Sequence, residues 1–261
     1  MMYIVFLLII GLSLRLWWES QAENREVGRT AMRSWVGNVR MNRYSETLEK
    51  YFAYYRTLDS QQKYEFTQRV DAFLKEKEFV SRGNLEITEE MKILVAACAV
   101  QLTFGLSPVY LSHFSTIILY PDQYYSLINQ HYHVGEVNAG GVIVLSWKHF
   151  VEGYFHPNDS LNVGLHEMAH ALLLENRRYG DDLLVPERVR AFFQQAKYEY
   201  RKIQAGEESV LRKYAGSNLA ELFAVAVETF FENPRQMQRE APGLYQSMTG
   251  LLNQNPLQQT T

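Results

Sequence analysis

Apolar residues recur at three- and four-residue spacing over most of the chain, and this period predicts a mostly helical protein. The stretch SQQKYEFTQRVDAFLKEKEF is one amphipathic example. Its expected buried face contains Tyr64, Phe66, Val70, Phe73 and Leu74. A second helix is predicted in TEEMKILVAACAVQLTFGL, with Thr88 as its N-cap and Gly105 as its stop. Further helices are predicted at about 160–176, 186–204 and 217–232.

The pattern changes between residues 113 and 147, where short runs rich in β-branched residues are bounded by turn residues. The stretches STIILYP and GGVIVLSW each predict a strand. Residues 132–137 and 142–147 predict a hairpin that turns at NAGG. Along the chain, predicted helices come before and after a small β-sheet, and this order predicts an α+β fold.

The first 18 residues, MMYIVFLLIIGLSLRLWW, form a hydrophobic segment with one charged side chain, Arg15. A membrane-spanning helix needs about 20 apolar residues, and this segment suffices if Arg15 snorkels to the interface beside Trp17 and Trp18. We therefore expect an N-terminal hydrophobic helix over residues 1–18 that anchors the protein in a membrane. A cleaved secretory signal and a buried or peripheral helix are the alternatives.

Charge and cysteine content place the body of the protein in the cytoplasm, with or without the anchor. Arg15 lies near the end of the apolar segment and Arg25, Arg29 and Arg33 follow it, so the positive-inside rule puts that side in the cytoplasm. The single cysteine, Cys98, cannot form an internal disulfide and is expected to be a buried hydrophobe. The net charge of -3 argues against nucleic acid as a partner.

The stretch VGLHEMAHALLLEN carries the strongest chemical signal in the chain. His166 and His170 lie four residues apart, so on a helix that Ser160 or Asn162 caps their imidazoles can converge on one ion. Glu167 projects beside that ion, which is the arrangement of H-E-x-x-H zinc hydrolases. The alternative is a core helix whose histidines are satisfied by ordinary hydrogen bonds.

A catalytic zinc site normally takes three protein ligands and one water. No histidine follows His170, so the third ligand is a carboxylate or an upstream histidine. The stretch YAGSNLAELFAVAVETFFENP predicts a helix capped by Ser217 that carries Glu221 and Glu228 on one face. On the pattern alone both glutamates are candidate ligands, and Glu228 could instead orient a histidine.

With these stretches the chain resembles the zinc peptidases of the Mlc titration factor A type, whose catalytic fold is related to the lethal-factor protease domain. The resemblance spans roughly residues 50–253, including EKEFVSRGNLEITEEMKILVAACAVQL, TIILYPDQY and GGVIVLSW besides the two stretches above. It implies a zincin-like metallopeptidase domain that cleaves peptide or protein substrates. It further implies one Zn²⁺ held by His166, His170 and Glu221, with Glu167 as catalytic base and Tyr214 stabilising the transition state.

Two features depart from the family. An aspartate often follows the second histidine by three residues, and here that position is Leu173, so Glu175 or Glu228 is expected to replace it. The apolar N-terminal segment is not a feature of the family's soluble founding member, so binding of a regulatory protein is kept only as a second expectation. The expected parts are the anchor (1–18), a juxtamembrane linker (19–40), the zinc peptidase domain (41–253) and a flexible tail (254–261).

Two functions from different classes follow from these observations. The first is a metallopeptidase that hydrolyses peptide bonds by zinc-activated water, with Glu167 as general base. The alternative is a membrane-associated, metal-stabilised binding protein that sequesters a regulator with little or no turnover, and an inert helical domain without metal is the third reading. The strand GGVIVLSW is expected either to pair with an extended substrate at a sheet edge or to be an ordinary core strand. His131 and His133 are expected to line the cleft or to be exposed.

Overall fold

A computed structural model describes residues 37–126, 130–155, 160–179 and 183–258. The chain divides into two compact units, residues 1–44 and 45–261. The described part of the first unit, residues 37–44, is helical. The predicted anchor and nearly all of the predicted linker lie outside the described residues, and no described helix is long and apolar enough to cross a membrane.

The fold is α+β and mostly helical, as the apolar period predicts. The helices are α1 (residues 37–51), α2 (Ala53–Arg56), α3 (Ser60–Lys75), α4 (Glu89–Thr103), α5 (Trp147–Phe155), α6 (Val163–Tyr179), α7 (Pro186–Gln204), α8 (Leu219–Glu232), α9 (Pro234–Glu240) and α10 (Pro242–Leu252). The strands are β1 (Glu78–Ser81), β2 (Thr116–Tyr120), β3 (Tyr124–Ser126), β4 (His131–His133), β5 (Gly135–Asn138) and β6 (Val142–Ser146). A 3₁₀ turn at Lys213–Gly216 precedes α8.

Four strands form a mixed sheet in the order β1-β2-β6-β5. The pairs β1–β2 and β2–β6 are parallel, and β5 is antiparallel to β6. The predicted hairpin is confirmed with shorter strands, because residues 132 and 133 pair instead with β3 and residue 147 begins α5. The turn closes through a hydrogen bond from the Gly141 amide to the Asn138 carbonyl, with Gly141 at a φ of 88°.

The position of β6 excludes the predicted edge pairing of GGVIVLSW with a substrate. β2 and β5 occupy both of its edges, and its Ile143 and Leu145 are fully buried. The antiparallel strand β5 lies at the edge of the sheet instead. The stretch SQQKYEFTQRVDAFLKEKEF ends at Phe79, so the sequence predicted a helix where strand β1 begins. That part of the prediction is wrong, because β1 pairs with β2.

Buried helical faces follow the apolar pattern closely. Phe66, Val70 and Phe73 of α3 are fully buried, whereas Tyr64 is exposed because it lies about 200° around the helix from Phe66. Cys98 lies in the core of α4, as expected of a small hydrophobe. Leu74, the remaining member of the predicted face, is half-buried.

Helix ends confirm some predicted caps and correct others. The Thr88 hydroxyl accepts a hydrogen bond from the Met91 amide at 3.3 Å, as predicted for an N-cap. Asn162 caps α6 by accepting from the Leu165 amide at 2.9 Å. The predicted cap Ser217 is wrong: Asn218 caps α8, because its side-chain oxygen accepts from two first-turn amides.

The residues that follow α4 and α10 pack against each other. Gly105 follows the end of α4, and a Cβ there would collide with the backbone carbonyls of Leu252 and Asn253. The sequence predicted a flexible tail from residue 254, yet Gln254 is buried and donates to the Gln101 and Leu102 carbonyls at 3.0 and 3.1 Å. The packed chain therefore extends past residue 253.

Two helical glycines test whether α6 packs closely against its neighbours. A Cβ at Gly164 of α6 would lie 2.7 Å from Cε2 of Phe150 and 2.9 Å from Sγ of Cys98, whereas nothing lies within 4 Å of one at Gly250. We expect Gly164→Ala to destabilise the protein by about 1–3 kcal/mol and Gly250→Ala to stabilise it by about 0.5–1 kcal/mol. Urea unfolding of both metal-free variants measures this, and equal stability of the two would contradict it.

Candidate metal centre

Helices α6 and α8 pack together and bring His166, His170 and Glu221 to one point. Nε2 of His166 lies 3.0 Å from Oε2 of Glu221 and 3.1 Å from Nε2 of His170. Nε2 of His170 lies 3.4 Å from the same carboxylate oxygen. The two histidines thus converge as their spacing predicts, and Glu221 rather than Glu228 closes the triangle.

The chemistry and spacing of these three groups fit a zinc ion. Tetrahedral ligands at zinc bond lengths of about 2.0–2.2 Å lie about 3.3–3.6 Å apart, close to the separations observed here. Oε2 of Glu221 is buried and faces Nε2 of both histidines, so a cation held between these three atoms would compensate its charge. His166, His170 and Glu221 could therefore hold a metal ion.

The electrostatics of the triangle also favour positive charge. Although burial lowers it, the carboxylates of Glu221 and Glu228 raise the pKa of His166 above its ordinary value. Although burial raises it, the two imidazoles lower the pKa of Glu221 below its ordinary value. Each group stabilises the charged form of its neighbour, and a divalent cation would take the place of the proton between them.

Glu228 fixes the orientation of His166 from the side of the ring opposite to Glu221. Nδ1 of His166 lies 2.7 Å from Oε1 of Glu228, and a carboxylate only accepts, so the imidazole donates from Nδ1 and directs the Nε2 lone pair at the triangle. The guanidinium of Arg212 also donates to Oε1, and the backbone amide of Asn162 donates to Oε2 at 2.7 Å. Nothing in the sequence pattern singles out Arg212.

Glu228 replaces in part the aspartate that the family often has at the position of Leu173. Leu173 is half-buried and lines the cleft described below. Glu228 supplies the orienting carboxylate for His166. The other candidate, Glu175, is buried elsewhere, where it accepts from the backbone amide of His113 at 3.2 Å.

Glu167 is buried next to the triangle. Burial, reinforced by the charges of Glu221 and Glu228, raises the pKa of Glu167 to about 7, although the two imidazoles oppose the shift. Its side chain lies against the first residue of β5, where a Cβ on Gly135 would come within 2.5 Å of Oε1. Only a glycine at 135 leaves room for this carboxylate.

Tyr214 lies in the 3₁₀ turn before α8, beside the same centre. Its ring centroid is 6.0 Å from that of His166, and the residue is half-exposed. Partial burial and the charges of Glu221 and Glu167 raise the pKa of Tyr214, so its hydroxyl remains a donor at neutral pH.

A cleft crosses the centre in two lobes of about 610 and 340 Å³. Both lobes are lined by His133, Gly135, His166, Glu167 and Tyr214. The larger lobe adds His131, Tyr132, His149, Leu161, Asn162 and Arg212. The smaller lobe adds Val137, His170, Leu173, Leu174, Arg177 and Glu221. His131 and His133 therefore line the cleft, which is one of the two positions that their sequence context predicts.

Comparison with known proteins adds a family to this geometry. Residues 30–252 match the model of the glucose-regulated metallo-peptidase M90 family. The chain is 27% identical to a Mlc titration factor A of Klebsiella pneumoniae, covering 77% of this chain and 82% of the relative. It is 25% identical to the Mlc titration factor A of Edwardsiella ictaluri (71% and 77% covered) and 28% identical to a Synechocystis protein (74% and 77% covered).

The role of Glu228 can be tested by metal affinity. Glu228→Gln keeps the shape but removes the charge that fixes His166, and loss of such an orienting carboxylate typically weakens metal binding about 10–100-fold. Competition with a chromophoric chelator measures this affinity. Glu175→Gln, also a buried glutamate but bonded to His113, is the control and should bind zinc as the unmodified protein does. Equal affinity of Glu228→Gln and the control would contradict the assignment.

Proposed function

The chain belongs to the glucose-regulated metallo-peptidase M90 family, and we propose that it is a zinc-dependent peptidase that hydrolyses peptide bonds in polypeptide substrates. The observation that carries the proposal is a buried carboxylate, Glu167, beside the triangle of His166, His170 and Glu221. Three ligands leave one tetrahedral position for a water or a substrate oxygen, which is the arrangement of catalytic rather than structural zinc sites.

Zinc held by the three ligands would supply Lewis-acid chemistry, lowering the pKa of a water and polarising a substrate carbonyl. Glu167 accepts a proton from the attacking water, and its raised pKa makes it a stronger base than an ordinary carboxylate. It then returns this proton to the leaving amine as the peptide bond breaks. The Tyr214 hydroxyl donates a hydrogen bond to the oxyanion that develops on the carbonyl.

The cleft suits an extended polypeptide. Glu167 lines both of its lobes, so each lobe can hold substrate residues next to the scissile bond. Strand β5 is at the edge of the sheet and contributes Gly135, Glu136 and Val137 to the smaller lobe. An extended segment that pairs with this edge would lie across the centre, in the manner of peptides that add a strand to a sheet.

Binding of a regulator is the second candidate function. Two of the relatives described above are named Mlc titration factor A, and that name indicates an interaction of those proteins with Mlc. A protein that acts by sequestration needs the metal for stability but needs no base at Glu167. The two functions therefore differ in what Glu167→Gln does.

We also propose that residues 1–18 anchor the protein in a membrane with the peptidase domain in the cytoplasm, since this apolar segment precedes a run of arginines. Fractionation of cells that express the full chain, or a chain without residues 1–18, tests this. The full chain should sediment with membranes and the shortened chain should not. Recovery of both chains in the soluble fraction would refute the anchor.

Glu167→Gln separates hydrolysis from sequestration. We expect turnover of a peptide substrate to fall by about 10²–10⁴-fold, because general-base catalysis contributes roughly that factor. Zinc content should remain one ion per chain, because Glu167 is not one of the three converging groups. Peptide hydrolysis and elemental analysis of the same preparations measure both.

Glu152→Gln is the control for this experiment. Glu152 is an exposed residue that lines the larger lobe and does not belong to the triangle. It should retain both zinc and most of the activity. Full activity of Glu167→Gln would refute the proposed base, and a zinc-loaded native protein without turnover would favour sequestration.

A further inference from the structure

The helical stripe that carries both histidines continues into the smaller lobe of the cleft. Arg177 follows His170 by seven residues, so it lies about 20° around α6 from His170 and about 10 Å along the axis. Leu173 and Leu174 lie between them and line the same lobe. We propose that Arg177 binds a substrate carboxylate two or three residues from the scissile bond and so determines specificity. This inference rests on the proposed peptidase function.

Arg177 is an available cation in a cleft whose other guanidinium is engaged. Arg212 lines the larger lobe, but it donates to the buried carboxylate of Glu228. Arg177 is exposed, and it has no carboxylate within 4 Å in the described part of the chain. Its guanidinium can therefore accept a new partner without breaking an ion pair to any described residue.

The surroundings of Arg177 favour a carboxylate over other ligands. Two of the lobe's carboxylates, Glu167 and Glu221, belong to the catalytic centre, and a third, Glu136, accepts from the Tyr124 hydroxyl at 3.3 Å. The remaining walls are mixed: Val137, Leu173, Leu174 and Ala220 are apolar, and His133, Tyr214 and Asn218 are polar but carry no negative charge. A guanidinium fork binds a carboxylate with two parallel hydrogen bonds.

The position of Arg177 sets the distance from the scissile bond. A substrate segment that extends along α6 rises about 3.3 Å per residue, so about 10 Å along the helix axis corresponds to three residues, and the length of the arginine side chain allows two. The carboxylate can come from an internal acidic side chain or from the C-terminus of a substrate. Both present the same group to Arg177, and the experiment below distinguishes them.

The test uses the zinc-loaded full chain and capped peptides of one sequence, with a single Glu, Gln or Lys placed at each position in turn. One position, two or three residues from the cleaved bond, should raise kcat/KM about five- to tenfold for Glu over Gln, mainly through KM. A parallel peptide that ends at that position with a free carboxylate identifies the second source. The preference should weaken as salt increases.

Arg178 supplies a matched control. It is the next residue of α6, equally exposed and equally placed to interact with the helix dipole, but it does not line the lobe. Arg177→Gln should abolish the preference for Glu and Arg177→Glu should convert it to a preference for Lys. Arg178→Gln should leave it unchanged.

The experiment distinguishes failure of the proposed role of Arg177 from failure of the proposed peptidase function. If the native protein cleaves the peptides but prefers no charge at any position, or keeps its preference in Arg177→Gln, the role of Arg177 is refuted and the peptidase function stands. If no peptide is cleaved, the proposed function fails. Fluorescence anisotropy of the same peptides on Glu167→Gln protein then shows whether the charge preference exists in binding, and its absence there refutes the role of Arg177 as well.

Discussion

The buried carboxylate of Glu228 is the group around which the metal centre is arranged. Its side chain is 1% exposed, a position where an ionised carboxylate is costly unless donors surround it. Three donors reach it: the Asn162 backbone amide and the His166 imidazole at the start of α6, and the Arg212 guanidinium from the segment before α8. Satisfying this charge holds α8, the start of α6 and the segment before Tyr214 in one arrangement, and it fixes the histidine tautomer that leaves Nε2 directed at the triangle.

A buried polar centre of this kind requires close approach of backbone, and two glycines provide it. Gly164 lets α6 approach Phe150 and Cys98, so the helix that carries the histidines lies deep in the domain. Gly135 lets β5 pass directly over Glu167. The packing that buries Glu167 is also the main cause of its raised pKa, so backbone geometry and proton affinity at this site are consequences of one constraint.

Much of the fold follows from local patterns, and the exceptions share one physical origin. The apolar period predicts α3, α4, α6, α7 and α8 to within a few residues, because an amphipathic helix is defined by its own side chains. Strands β1 and β4 have four and three residues and no readable period, and they exist because a distant segment pairs with them. The edge position of β5 is likewise a property of the sheet and not of its sequence.

The candidate metal centre likewise depends partly on local sequence and partly on tertiary packing. His166 and His170 converge because four residues make about one helical turn, and the sequence by itself determined this half of the site. Glu221 and Glu228 are seven residues apart on one face of α8, so by sequence they are equivalent. Packing of α8 against α6 separates them: Glu221 lies 3.0 Å from Nε2 of His166, and Glu228 lies 2.7 Å from Nδ1 of the same ring. Tertiary structure decided which glutamate closes the triangle with the two histidines and which orients His166, because that choice depends on how two helices distant in sequence meet.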